Sequence, residues 1–149
     1  MIFYINKNMK IREVSAAVFY NCENEILLQK RGSYSKYGEE YAFFGGGKEG
    51  DETPEETLIR EIKEELGLEI SNFRYEFLGS FRAEFPERNL IAIRSIFVIP
   101  TQKKAEDFTV LEGEGAEYFS LEDAKKQSLP NPMPETFEVL GKYFKTLKS

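Results

Sequence analysis

The chain has no histidine and a single cysteine in 149 residues. Without histidine there can be no Ser-His-Asp or Cys-His machinery and no His-ligated zinc. A general base must then be a carboxylate, a tyrosine, a lysine or a metal-activated water, and near neutral pH a carboxylate beside such a water is the natural choice. One cysteine excludes an internal disulfide and fits a reducing cytoplasm, the expected location. Cys22 falls in the turn-like run Asn21-Cys22-Glu23-Asn24, where it reads as incidental. No apolar run approaches the 18 or so residues that cross a membrane. Met1 to Lys10 lacks the apolar core of a signal peptide. A basic stripe is also missing. The net charge of −6 argues against general nucleic-acid binding and would repel a phosphate substrate unless metal ions intervene.

What is present suits one domain spanning residues 1–149, with 41% apolar residues and enough length for a sizeable core. Residues 11–20, 25–29, 41–44, 73–85, 90–99 and 116–119 read as strands, with Pro86-Glu87-Arg88-Asn89 as a hairpin turn. Residues 31–40 form a polar loop. A short helix starts at Ser120-Leu121-Glu122-Asp123 and a last one at Pro134, striped by Phe137, Leu140, Phe144 and Leu147. Strands interleaved with two or three helices indicate an α/β/α sandwich.

The most informative stretch is residues 46–68. Thr53-Pro54-Glu55-Glu56 carries a helix start: a Thr cap, Pro at the first position and Glu three residues after the cap. Leu58, Ile59, Ile62 and Leu66 make one apolar face, and Gly67 stands where a left-handed C-cap belongs. The pattern predicts a helix over 54–66, about thirteen residues and roughly 20 Å long. Its other face carries Glu61, Glu64 and Glu65. Like charges at helical-neighbour spacing each cost about 0.2–0.5 kcal/mol, and negative charge in a last turn opposes the helix dipole. Arg60, four residues before Glu64, relieves part of this. A hard divalent cation such as Mg²⁺ or Mn²⁺ would relieve more. A plain solvated acidic face is the alternative for any single acidic run, but the whole spacing would arise by chance in roughly 10⁻⁵ of chains of this composition.

Gly46, Glu52, Arg60, Glu61, Ile62, Glu64, Glu65, Gly67 and Leu68 match every defined position of G-x5-E-x7-R-E-U-x-E-E-x-G-U, with U aliphatic. The stretch therefore resembles the Nudix box, and the chain resembles a Nudix domain in length and order of elements. The resemblance implies a mixed sheet with the box helix packed on it. It also implies Mg²⁺- or Mn²⁺-dependent hydrolysis of a phosphoanhydride bond in a nucleoside diphosphate linked to another group. The expected substrate is a nucleoside triphosphate, with ADP-ribose or a nucleotide sugar as the alternative. A non-catalytic nucleotide- or protein-binding module on the same fold is the contrasting reading.

By that resemblance the metal ligands are the Gly45 carbonyl, Glu61, Glu64 and Glu65. Glu52 and Arg60 pair to hold the loop and orient the glutamates. Glu112, in the acidic loop before the last strand, is the candidate extra ligand or base, and Glu64 competes with it as base. Arg31 and Lys48 are candidate phosphate contacts, with plain surface charge as the alternative. Ser128-Leu129-Pro130-Asn131-Pro132 resembles the region where the branch acting on 8-oxo-dGTP reads its purine, which makes Asn131 a candidate there; a proline-rich loop without a ligand role is the alternative. Phe44, Tyr118 and Phe137 could stack on a base or belong to the core. The expected partners are a small-molecule nucleotide, with no nucleic acid and no membrane; a homodimer is the commonest assembly by base rate.

Overall fold

The computed structural model describes residues 9–36 and 38–147. Most of the segment read for a leader, residues 1–8, lies outside them. Among the described residues, seven strands form one mixed sheet: β1 (Lys10–Tyr20), β2 (Ile26–Lys30), β3 (Tyr41–Ala42), β4 (Phe44–Gly47), β5 (Glu76–Phe85), β6 (Leu90–Pro100) and β7 (Gly115–Phe119). The main order is β3-β2-β1-β6-β5, with β4 paired to β1 and β7 to β2. The β1–β6 pair is parallel and every other pair antiparallel. The helices are α1 (Pro54–Leu66), α2 (Leu121–Lys125) and α3 (Pro134–Thr146).

Alternation along β1 and β6 sends side chains to opposite faces of the sheet. Ala17, Phe19, Phe97 and Ile99 pack with Leu58, Ile62 and Leu66 of α1. Val18, Tyr20, Ile96 and Val98 pack with Phe137, Leu140 and Phe144 of α3. Each face of the sheet therefore has its own apolar layer, which is the α/β/α sandwich expected from the sequence.

The box helix has the expected ends. Thr53 and Glu56 form both bonds of a capping box, and Gly67 caps the C-terminus at φ 67°. Two expectations are corrected. The strand read from residue 73 begins at Glu76, because Ile70–Asn72 form a 3-10 turn that buries Ile70 before the chain reaches the sheet. The strand read over 41–44 is two pieces separated at Phe43: β3 pairs with β2 and β4 with β1. The Pro86–Arg88 turn closes on Asn89 at φ 53°, a conformation asparagine tolerates.

Candidate active site

The glycine loop and α1 are fixed to one another mainly by Arg60. Its guanidinium holds both oxygens of Glu52 at 2.7 and 2.9 Å, donates to the Gly47 carbonyl at 2.7 Å, and reaches Glu61 at 3.0 Å and Glu64 at 3.4 Å. Glu52 also accepts from the Glu49 amide and the Thr57 hydroxyl. These bonds to Arg60 hold the Glu52 carboxyl down at about 2 and raise the guanidinium above its ordinary range. At the start of the helix, the Ser15 hydroxyl of β1 donates to the Pro54 carbonyl at 2.7 Å.

Gly45 sits at φ 123°, and a Cβ there would lie 1.9 Å from the Ser15 carbonyl oxygen. Only glycine fits. Its amide donates to Glu65 at 2.7 Å. A Cβ on Gly46 would lie 2.4 Å from the Glu61 carboxyl carbon. The two glycines thus let the loop backbone approach the carboxylates of α1 directly.

Glu65 is buried, at 4% exposure, and its pKa is raised to about 8. Burial is the main cause, Glu61 and Glu112 add repulsion, and the Gly45 amide opposes them. Burial also raises Glu61, against the pull of Arg60, with Glu64 and Glu112 contributing. Glu112 reaches this neighbourhood because its loop is stitched at three points. The Leu111 amide donates to the Glu65 carbonyl, Gln29 donates to the Glu112 carbonyl, and the Glu114 amide donates to the Lys30 carbonyl.

Crowded carboxylates with raised pKa values and all-oxygen donors fit a hard divalent cation in charge and chemistry. Among the described residues, however, no three acidic side chains are gathered into a ready ligand cluster. Glu61 and Glu64 turn toward Arg60. Glu64 is the most exposed of the three helix glutamates, with its side chain 48% exposed.

Beside this group lies a cleft lined by Gln29, Arg31, Gly45, Gly46 and Glu65, and further along by Arg12, Phe43, Arg94 and Asn131. Arg31 faces it, donating to Gln29 at 2.7 Å with Glu39 3.7 Å away. Lys48 does not line this cleft. It pairs with Glu13 at 3.2 Å over a separate shallow recess. Asn131 lines the cleft at φ 46° and accepts a side-chain bond from Arg88. Phe44 and Phe137 are buried in the two core layers, and Tyr118 packs on one while donating to the Lys103 carbonyl. Phe43 lines the cleft, and the buried Phe44 also contributes to its wall.

Sequence reasoning missed Arg12, Phe43 and Arg94. Arg94 did leave a signal, as the one charge inside the apolar strand Leu90-Ile91-Ala92-Ile93-Arg94-Ser95-Ile96-Phe97. The other two left none, since nothing local distinguishes a cleft-lining arginine or phenylalanine from its neighbours.

Comparison with known proteins bears on the fold and the family. An 8-oxo-dGTP diphosphatase of Escherichia coli K12 is 30% identical over 82 residues, covering 55% of this chain and 62% of the relative. A CTP pyrophosphohydrolase of the same organism is 39% identical over 67 residues, covering 45% of this chain and 49% of the relative. The chain thus spans about half to two thirds of the length of these curated relatives. The solution structure of the E. coli ORF135 protein superposes with a TM-score of 0.65 at 27% identity, covering 95% of this chain and 93% of that one. The NUDIX domain family model matches residues 9–140. The chain belongs to the NUDIX domain family.

Proposed function

We propose that this protein hydrolyses a nucleoside triphosphate to the nucleoside monophosphate and pyrophosphate, with Mg²⁺ or Mn²⁺. The observation that carries the reading is a glycine loop fixed by Arg60 to the helix that bears Glu61, Glu64 and Glu65, with Glu112 near enough to act on Glu61 and Glu65, beside a cleft lined by arginines. The relatives named as a diphosphatase and a pyrophosphohydrolase support it.

Glu61, Glu64 and Glu65, with the Gly45 carbonyl, would hold the metal. When bound, the ion neutralises phosphate charge and makes water more acidic. In the mechanism we assign, Glu64 orients the attacking water and takes its proton, being exposed and tethered by long bonds to Arg60. The new P–O bond forms as the anhydride bond breaks, and pyrophosphate leaves. Glu112 lies close enough to influence Glu61 and Glu65 and is the competing base. Arg31, from its place in the cleft, holds phosphate oxygens. Glu52 and Arg60 keep the loop and the glutamates in register.

The test is product analysis after incubation with Mg²⁺ and each nucleoside triphosphate in turn. Monophosphate plus pyrophosphate is expected. Diphosphate plus orthophosphate would contradict the bond assignment, and intact triphosphates throughout would contradict the activity.

A further inference from the structure

Arg94 stands in the middle of β6 on the face that packs against α3, with Val14 beside it on β1. It is 9% exposed, yet it lines the cleft. Its guanidinium donates to the Thr136 hydroxyl and to the Asn131 carbonyl, each at 3.2 Å, and lies 5.7 Å from the centre of the Phe43 ring. A guanidinium has five N–H donors in a rigid fork, so two long bonds leave much of it unused. Burial lowers its pKa to about 10, and among the described residues no carboxylate offsets that. A buried cation without a counter-charge is among the costliest arrangements a fold can hold, and an apolar side chain would serve packing better. What Arg94 offers is a donor pair at the edge of a slot walled by an aromatic ring.

The glycine loop lies across β1 from Arg94, since Val14 is paired with Arg94 on one side and with Gly47 on the other. Two strand spacings, roughly 10 Å, separate them. A nucleoside with its phosphates at the glycines would bring its base to Arg94. An arginine fork pairs with two acceptors side by side, as it does with O6 and N7 of guanine. Cytosine offers O2 and N3 in the same way. Adenine sets a donor beside its ring-nitrogen acceptor, and uracil sets one between its two carbonyls.

We infer that Arg94 selects the substrate's base, accepting guanine or cytosine and disfavouring adenine and uracil. This rests on the nucleotide reading proposed above, but it concerns binding and can be read without turnover. The experiment is calorimetric titration of wild type, Arg94→Met and Arg94→Lys with GMP, CMP, AMP and UMP at millimolar concentrations, with inorganic phosphate as a control. Wild type should bind GMP or CMP at least 10-fold more tightly than AMP and UMP. Arg94→Met should erase that difference while leaving phosphate binding and Tm intact. Arg94→Lys, which keeps the charge and loses the fork, should also lose the discrimination, and it serves if the Met variant does not fold.

Equal losses for all four nucleotides, unchanged discrimination in both variants, or no binding of any nucleotide to wild type would overturn the inference. So would a loss of phosphate binding in Arg94→Met, which would make Arg94 a phosphate contact. Arg94-dependent discrimination in a protein that hydrolyses no triphosphate would overturn the proposed function and leave this inference standing. Hydrolysis without base discrimination would do the reverse.

Discussion

At the α1 end of the cleft, Glu49, Glu52, Glu61 and Glu64 share one arginine, Arg60. At the α3 end, the buried Arg94 has only neutral acceptors, a hydroxyl and a carbonyl. One end has more negative charge than its cation can match, and at the other, among the described residues, Arg94 has no acid bonded to it. A triphosphate bound through divalent metal at the first end, with an acceptor-rich base at the second, would complete both. In a chain of net charge −6, such a cleft gives an anionic ligand a local attraction that the molecule as a whole does not offer.

The largest expected effect separates chemistry from scaffolding within the acidic end. Glu64→Gln should lower kcat by about 10²- to 10⁴-fold, the usual worth of a positioned base, with Tm unchanged. If Glu112→Gln produces the larger loss instead, the base is Glu112. Near-normal turnover in both would remove proton abstraction from this end altogether.

Next comes Arg60→Ala, which releases the loop from the helix. Activity or metal affinity should fall about 10- to 100-fold, as for groups that orient ligands without touching substrate. Base discrimination at the Arg94 end should be untouched, because the two ends share no hydrogen bond to Arg60. A change in discrimination would mean that the two ends of the cleft are coupled.

The Glu52–Arg60 pair also predicts an acid limb. The Glu52 carboxyl is held at about 2 in the folded state against an ordinary 4.5. A depressed carboxylate stabilises the fold fully above the unfolded value, and that contribution disappears as pH falls from about 4.5 through about 2. Thermal melts over this range should show a shallower acid decline for Glu52→Gln than for wild type. Parallel curves would show that the pair does not hold the fold.

The smallest effect concerns the start of the helix. Thr53→Ala removes the 3.1 Å bond that the Thr53 hydroxyl accepts from the Glu56 amide and leaves the 2.9 Å bond from the Thr53 amide to the Glu56 carboxylate. It should cost about 1 kcal/mol, or about 2–4 °C in Tm for a chain of this size. kcat should not change, and a drop in kcat without a drop in Tm would contradict a purely structural cap.

The acidic end was legible because it is nearly contiguous. Glu52, Arg60, Glu61, Glu64 and Glu65 lie within one loop and one helix, and helical spacing alone puts the last four within reach of each other. Glu112 was found as a loop acid, but its closeness to Glu61 and Glu65 depends on hydrogen bonds from β2 and the end of α1 that no local pattern encodes. At the basic end Asn131 was a candidate and its neighbours were not legible. Arg12, Arg94, Phe43 and Asn131 come from two strands, a strand break and a loop. They meet only because β1 and β6 pair in parallel at one register, Val14 opposite Arg94. Lys48 shows the converse: it stands inside the box in sequence, yet its side chain turns to Glu13 on β1.

The most direct test of the account is pyrophosphate release with Mg²⁺ across a panel of the common nucleoside triphosphates, 8-oxo-dGTP, ADP-ribose, a nucleotide sugar and a dinucleoside polyphosphate. Release of pyrophosphate from at least one triphosphate, abolished by chelation of the metal, is the expected result. No cleavage of any triphosphate with Mg²⁺ or Mn²⁺ would contradict the central claim.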